Sequence, residues 1–299
     1  MLTEAVSWRA VFLVNVPVVV AAFAVAARVV RESRDPQGRR LDLAGVVLGG
    51  ALLAVLAFAV IEGGHAGLGP PVVAAIATTV VLTVAFVAVE RTRAEPMLPL
   101  GLFRDRVFST ANAVAGAMNL ATLGLLFVLT LYLQDVLGYG TLVAGLALFP
   151  AFLPLSVLAP LGGRITARTG PRWPMAAGLL SAAAGVALLA TVRADSSYLV
   201  LLPALPLWGI GLGVLTPAVV AAAIGAVPAG RAGLASAVNN TARQACGAIG
   251  IAAFGALAGS PGGPGFVGGF HAAALIASAM FVVAAIATLA LLPARGGGR

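Results

Sequence analysis

Long apolar runs alternate along the chain with short polar or glycine- and proline-rich breaks. The runs lie at roughly residues 10 to 30, 43 to 62, 71 to 89, 109 to 134, 142 to 163, 173 to 193, 198 to 221, 233 to 258 and 270 to 293. A helix of about 20 mostly apolar residues crosses the hydrocarbon core of a bilayer, so the pattern predicts an all-α polytopic membrane protein with nine transmembrane helices. Asp42 before the second run, Gly69-Pro70-Pro71 before the third, and the glycine- and proline-rich residues 259–269 before the ninth mark breaks. The connections are short, as in a helix bundle.

Composition changes the picture in one direction only. Hydrophobic residues make up 61% and charged residues 9% of the 299 positions, against about 25% charged in an average soluble domain, which excludes a soluble globular class. The 18 basic residues are all arginine and outnumber 10 acids, for a net charge of +8. They stand in short clusters between apolar runs, where no basic stripe with interleaved aromatics forms, so the charge reads as membrane topology and not as nucleic-acid binding.

Arginine-rich short loops stay cytoplasmic. Arg28, Arg31, Arg34, Arg39 and Arg40 follow the first run; Arg91, Arg93, Arg104 and Arg106 the third; Arg164, Arg168 and Arg172 the fifth; Arg231 the seventh; Arg295 and Arg299 the ninth. Fifteen therefore fall on one side, the alternate connections hold only Arg9 and Arg193, and Arg243 lies inside a run. This predicts a multi-pass protein of the cell membrane, with the first helix starting outside and the C-terminus in the cytoplasm. A cleaved signal peptide is a poor match for the first run, which exceeds the usual core of about 7 to 15 residues and carries its charge behind it.

Little points to bond-making chemistry. The single cysteine, Cys246, sits among small apolar residues and reads as a packed thiol, and His65 and His271 stand apart from each other and from any acidic cluster. No metal site and no cofactor are expected. No phosphate loop, triad or deep pair of carboxylates is present, which disfavours an ATP-driven pump or a membrane-embedded enzyme.

Several segments share features beyond hydrophobicity. SWRAVFLVNVP (7–17), LDLAGVVLGGALLAVLAFAVIEG (41–63), EPMLPLGLFRDRVFSTAN (95–112), YLQDVLGYGTLVAGLALFP (132–150), GGRITARTGPRWPM (162–175) and PAGRAGLASAVNNTARQACGAIG (228–250) follow one another in a distinctive series. Together they resemble the fourteen-helix drug:proton antiporter branch of the major facilitator superfamily, over essentially the whole chain. The resemblance implies six helices, two extra central helices and six more, with both termini cytoplasmic. Residues 1–42 then correspond to the last helix of the N-terminal half with its cytoplasmic loop, 43–108 to the central pair and linker, and 109–299 to the C-terminal six-helix half. A chain so placed is expected to lack the first five helices, and an outside start agrees with the arginine count.

The implied function is secondary active efflux: a proton moves inward while a small amphiphilic or cationic drug moves outward, by rocking of two halves in the lipid bilayer. The alternative is a non-transporting membrane interaction protein, or one partner of a split transporter.

Candidate pathway residues stand out as polar positions inside apolar runs. Arg243 lies roughly 15 Å into the eighth run at helical rise, where an ionised side chain is costly. Asn239, Asn240 and Gln244 surround it; Asn240 and Gln244 share one helix face and Asn239 and Arg243 the neighbouring one. Two readings stand: a polar patch that holds substrate or pairs with a carboxylate, or an arginine satisfied by helix carbonyls that fixes packing. Glu62, Glu90 and Asp135 lie at span ends and supply no deep partner.

The fourth run carries Asn112, Asn119 and Thr122 with Gly116 on one stripe, which must face protein or water. Cavity lining and interhelical hydrogen bonding both satisfy that demand. Tyr132, Gln134 and Asp135 read as an interfacial anchor. In the seventh run Pro203, Pro206 and Pro217, with Gly209, Gly211 and Gly213, predict a kink, and Trp208 is a candidate aromatic wall. GxxxG pairs at Gly45/Gly49, Gly209/Gly213 and Gly255/Gly259 predict close helix packing.

GGRITARTGPRW is similar to the family loop GxxxDRxGRR, with Gly163, Arg168, Gly170 and Arg172 matching. Ala167 stands where that loop has aspartate and Pro171 where it has arginine, so this copy reads as topological and structural rather than as a charge latch.

Overall fold

The computed structural model describes residues 13, 15–29, 42–67, 69–93, 96 and 98–294. Trp8 and Arg9 of the first motif lie outside the described residues, as do Arg31, Arg34, Arg39, Arg40, Arg295 and Arg299. All regular structure among the described residues is helical. The described residues fall into two units, one within 1–41 and the other within 42–299.

The first unit contributes α1 (Asn15–Val29), whose last turn carries Arg28, a cation suited to the partial negative charge of a helix C-terminus. In the second unit α2 (Leu43–Ala66) starts at Asp42, whose Oδ1 accepts from the Gly45 N–H at 2.9 Å, an N-cap bond. Pro70 and Pro71 open α3 (Pro70–Thr92), where the missing N–H costs nothing. Asp105 likewise caps α4 (Arg106–Leu131) by accepting from the Phe108 N–H at 2.9 Å. There follow α5 (Thr141–Ala147), α6 (Phe149–Thr169), α7 (Arg172–Leu189), α8 (Ala204–Gly225), α9 (Ala232–Ala258) and α10 (Phe266–Leu291).

Nine spans were expected; the described helices match fewer. Six are long and apolar enough to cross a membrane, and α5 with α6 makes a seventh if that bent pair is one span. The helix described in the first run, α1, has 15 residues and is shorter than a span. The eighth run does form a 27-residue helix, α9, but Asn239, Asn240, Arg243 and Gln244 interrupt its apolar character. A polar helix of that length needs protein or water against its polar face.

A break also falls where none was expected. Residues 204–225 run as one helix through Pro217, with Pro203 at its N-cap, whereas α5 and α6 meet at 45° across Leu148. Pro150 stands in the first turn of α6, and Pro154 and Pro160 lie within it. A proline at the start of a helix is tolerated, but its ring hinders continuation of the preceding one.

Backbone proximity organises the bundle. A Cβ on Gly250 of α9 would lie 2.1 Å from the Leu120 carbonyl oxygen of α4, and one on Gly124 would lie 2.5 Å from the Gly250 oxygen. The same holds at Gly209 of α8, where a Cβ would come within 2.0 Å of the Ala151 oxygen of α6. Of the expected GxxxG pairs, Gly209/Gly213 serves this α6–α8 contact, while Gly259, at φ 74°, ends α9 in the left-handed region.

Tyr132 corrects the expected interfacial anchor. Its ring is fully buried, stacks on Phe270 at 5.3 Å between centroids, and its hydroxyl donates to the Arg193 carbonyl at 2.7 Å. The side chain thus ties the far end of α4 to α10 and the 190–197 turn. His271 is packed, with Nε2 against the Val192 carbonyl oxygen. By contrast α2 and α3 pair with each other and leave long apolar faces open, with Val47 67% and Val81 65% exposed. Such faces suit lipid or another apolar helix surface.

Candidate functional site

Four helices converge on a cavity of about 290 Å³. From α4 it receives Met118, Asn119, Thr122, Leu123 and Leu126; from α6, Phe152 and Leu155; from α8, Leu212 and Thr216; from α9, Asn240, Arg243 and Gln244. Its walls are mostly apolar with a few convergent polar groups, the usual composition of a small-molecule site.

Helical spacing and the glycine notches explain who points where. Because Gly124 and Gly250 let α4 and α9 touch backbone to backbone, the polar stripes on the two helices meet in register. At one end Asn239 Nδ2 donates to Asn112 Oδ1 at 3.2 Å, and Asn112 Nδ2 donates to the Phe108 carbonyl at 2.8 Å. Both asparagines are buried, so this pair is interhelical fastening. Toward the cavity Arg243 Nε donates to Asn119 Oδ1 at 3.4 Å. Between the two bonds the Cys246 sulfur fills the space that a Cβ on Gly116 would need.

The stripe on the fourth run therefore splits into two uses. Asn112 fastens helices, whereas Asn119 and Thr122 line the cavity. Thr122 Oγ1 is shielded from solvent and has no hydrogen-bond partner among the described residues. The α9 cluster splits too: Asn239 turns to α4, and Asn240, Arg243 and Gln244 reach the cavity.

Trp208 is not among the lining residues. It is 2% exposed and lies against Gly185 of α7, where a glycine Cβ would come within 2.5 Å of the Trp208 backbone nitrogen. Two turns further along α8, Thr216 lines the cavity instead, donating to the Leu212 carbonyl at 2.8 Å. Sequence reasoning passed over Thr216; its position next to Pro217 in a run otherwise apolar was the available signal.

The loop residues lie away from the cavity. Gly170, at φ 79°, terminates α6, and its N–H donates to Thr166 O at 2.9 Å. Arg168 is exposed. Arg172 Nη2 donates to the Leu289 carbonyl at 2.6 Å, one of the last four carbonyls of α10, which have no partner within the helix. Its guanidinium also lies 5.5 Å from the Trp173 ring centroid. Gly163 faces Pro217 at 3.9 Å through its Cβ position.

The Asn112–Asn239 bond yields a measurable coupling. In a double-mutant cycle with alanine at both positions, unfolding in detergent micelles is expected to give a coupling of roughly 0.5 to 1.5 kcal/mol; additive effects would show that the two amides do not act as a pair.

Comparison with known proteins fits this architecture. The model of the Major Facilitator Superfamily matches residues 1–251. The chain belongs to the major facilitator superfamily. Among curated members, a puromycin resistance protein of Streptomyces alboniger is 38% identical over 253 residues, covering 83% of this chain and 50% of the relative. A multidrug resistance protein of Mycobacterium tuberculosis is 34% identical over 244 residues, covering 81% and 45%. A multidrug efflux pump of Mycolicibacterium smegmatis is 31% identical over 242 residues, covering 81% and 48%. The chain thus spans about half the length of these facilitator relatives.

As a facilitator chain with several apolar helices, this is a multi-pass membrane protein.

Proposed function

We propose that the chain is part of a proton-coupled drug efflux antiporter, and that the cavity around Arg243 is its share of the substrate pathway. The observation that carries the reading is the convergence of Asn119, Thr122, Asn240, Arg243 and Gln244 on one space between four helices. An ionised residue deep in a membrane helix is retained where it serves a pathway or a structural bond, and here its long bond to Asn119 leaves most of the guanidinium donors turned to the cavity. The printed names of the relatives, puromycin resistance, multidrug resistance and multidrug efflux, support drugs as cargo.

In this reading residues 1–42 are the last helix of the N-terminal half with its loop, 43–108 the central pair, and 109–299 the C-terminal half. The C-terminus is cytoplasmic and the first helix starts outside, as the arginine distribution supports. An amphiphilic drug moves outward and a proton inward as the two halves rock about the cavity. The second reading, one partner of a split transporter or a non-transporting interaction protein, draws on the exposure of Asn240 and Gln244, polar groups that need protein or water beside them.

A chimera tests the first reading. The aligned 253-residue region of the Streptomyces alboniger relative is replaced by this chain, and efflux of amphiphilic fluorescent dyes of either charge from loaded cells is followed before and after collapse of the pH gradient. Efflux that depends on the gradient is expected; a chimera of normal membrane abundance with no efflux above empty vector overturns the reading.

A further inference from the structure

The charge balance of the cavity is lopsided. Among the described residues Arg243 is the only ionisable one that lines the cavity, and none of the twelve lining side chains is a carboxylate. The one hydrogen bond of Arg243 among the described residues goes to a neutral amide, at 3.4 Å, beyond the usual range for N–H···O. Guanidinium keeps its charge and carries five donors in a planar fork, so at least four N–H groups remain for a ligand. Other polar lining groups include Asn240 and Gln244, amides one turn apart, and the buried Thr122 hydroxyl has no partner among the described residues.

A cation entering this space would meet an uncompensated like charge in surroundings of low dielectric, where repulsion is poorly screened. An anionic oxygen meets the opposite situation. Planar groups with two acceptor oxygens match the guanidinium fork, and charge-assisted bonds to such groups are roughly twice as strong as neutral ones. The apolar walls, Phe152, Leu155, Leu123 and Leu212 among them, suit the hydrocarbon or aromatic body of the same ligand.

We infer that the cavity selects amphiphiles by a carboxylate or similar two-oxygen anionic group seated on Arg243, and discriminates against cationic ones. The inference rests on the proposed role of the cavity as substrate pathway and narrows the class of cargo from amphiphiles in general to those with an acidic head. Arg243 is then the specificity-determining residue, with Thr122, Asn240 and Gln244 supplying further hydrogen bonds.

Two probes with the same ring system and opposite charge isolate the effect. The full chain is placed in nanodiscs of phosphatidylcholine, and saturable binding of anthracene carboxylate and of anthracenylmethylammonium is followed by ligand fluorescence. The carboxylate is expected to bind about tenfold or more tightly than the ammonium. R243Q should abolish the preference, R243K should keep part of it, and Q244E, a substitution at an exposed position that leaves the packing intact, should lower it by placing a carboxylate on the lining. Thermal unfolding of each variant shows that it is folded; if R243Q is not, the Q244E result decides.

Equal or tighter binding of the ammonium, or a preference unchanged in the folded variants, overturns the inference while leaving the cavity as a binding site. Absence of saturable binding of either probe overturns the cavity reading itself and the inference with it. Anionic phospholipid offers the same chemistry as a free acid. Added phosphatidylglycerol that displaces the carboxylate in proportion to its amount identifies lipid as an occupant of the anionic seat; unchanged binding identifies the free amphiphile.

Discussion

Valine in place of Gly250 is expected to cost the protein its stable fold. A Cβ there would stand 2.1 Å from the Leu120 carbonyl oxygen and 2.8 Å from the Leu120 carbonyl carbon and Cα. These are backbone atoms and cannot swing aside as a side-chain tip does, so α4 and α9 must separate. Overpacking of a tight interior costs about 1 to 3 kcal/mol and sometimes more, and here the separation would also strain the Asn112–Asn239 and Arg243–Asn119 bonds at 3.2 and 3.4 Å. Thermal unfolding in detergent should show a lowered Tm or loss of the monodisperse species. Gly233 of the same helix has open space around its Cβ position, so Gly233→Ala should leave stability within about 1 kcal/mol of the parent. A Gly250→Val protein as stable as the Gly233→Ala one would refute the backbone contact between α4 and α9.

Removal of Arg243 is expected to cut export of an anionic cargo sharply without removing the protein from the membrane. In the chimera, Arg243→Ala should reduce efflux of an anionic amphiphilic dye at least about tenfold, a loss of about 1.4 kcal/mol in effective interaction with cargo or more, at unchanged membrane abundance. The side chain makes one long bond to Asn119 and otherwise faces the cavity, so its deletion takes little from the packing. Export that continues at the parental rate would leave Arg243 as a structural arginine, and a drop in abundance equal to the drop in export would say the same. Asn112→Ala separates the two roles from the other side: it lies in the fastening end of the stripe, and its effect should fall on stability before it falls on export.

The two substitutions divide the α4–α9 contact into what holds it and what it exposes, and the sequence gives unequal access to the two. That Arg243, Asn239, Asn240 and Gln244 form a polar island in an apolar run is visible in the residues. Which of them turns to a neighbour and which to a cavity is not. Asn239 and Arg243 stand one turn apart on the same side of the helix, yet Asn239 meets Asn112 and Arg243 reaches the cavity. That difference comes from the helix crossing at Gly124 and Gly250, which fixes the rotation of α9 about its axis. Glycines are common in both helices, and nothing local marks those two as the point of closest approach.

Similar reasoning covers the residues that were placed differently. Trp208 and Tyr132 have chemistry that fits a site wall and an interfacial anchor, but aromatic rings also fill cores, and the choice depends on what lies opposite. Gly185 makes room beside Trp208, and Phe270 stacks on Tyr132. The break between α5 and α6 lies at Leu148, beside Pro150, while the prolines at 203, 206 and 217 leave α8 a single helix. A proline in the first turn of a helix is harmless and one after a helix end is disruptive, so the effect depends on element boundaries that periodicity locates only to within a few residues.

By itself the sequence determined the solvent and the scale of the elements: apolar runs near bilayer length mean helices whose backbone is satisfied internally and whose side chains face lipid. It also determined where charge is tolerated and, through the arginine clusters, an expected orientation, because both depend on composition along one dimension. Only the tertiary structure decided that Asn119, Thr122, Thr216, Asn240, Arg243 and Gln244 share one cavity, while Asn112, Asn239 and Trp208 do not line it. Those assignments depend on the azimuth of each helix, which is set by contacts between residues more than a hundred positions apart in the chain, such as Leu120 with Gly250.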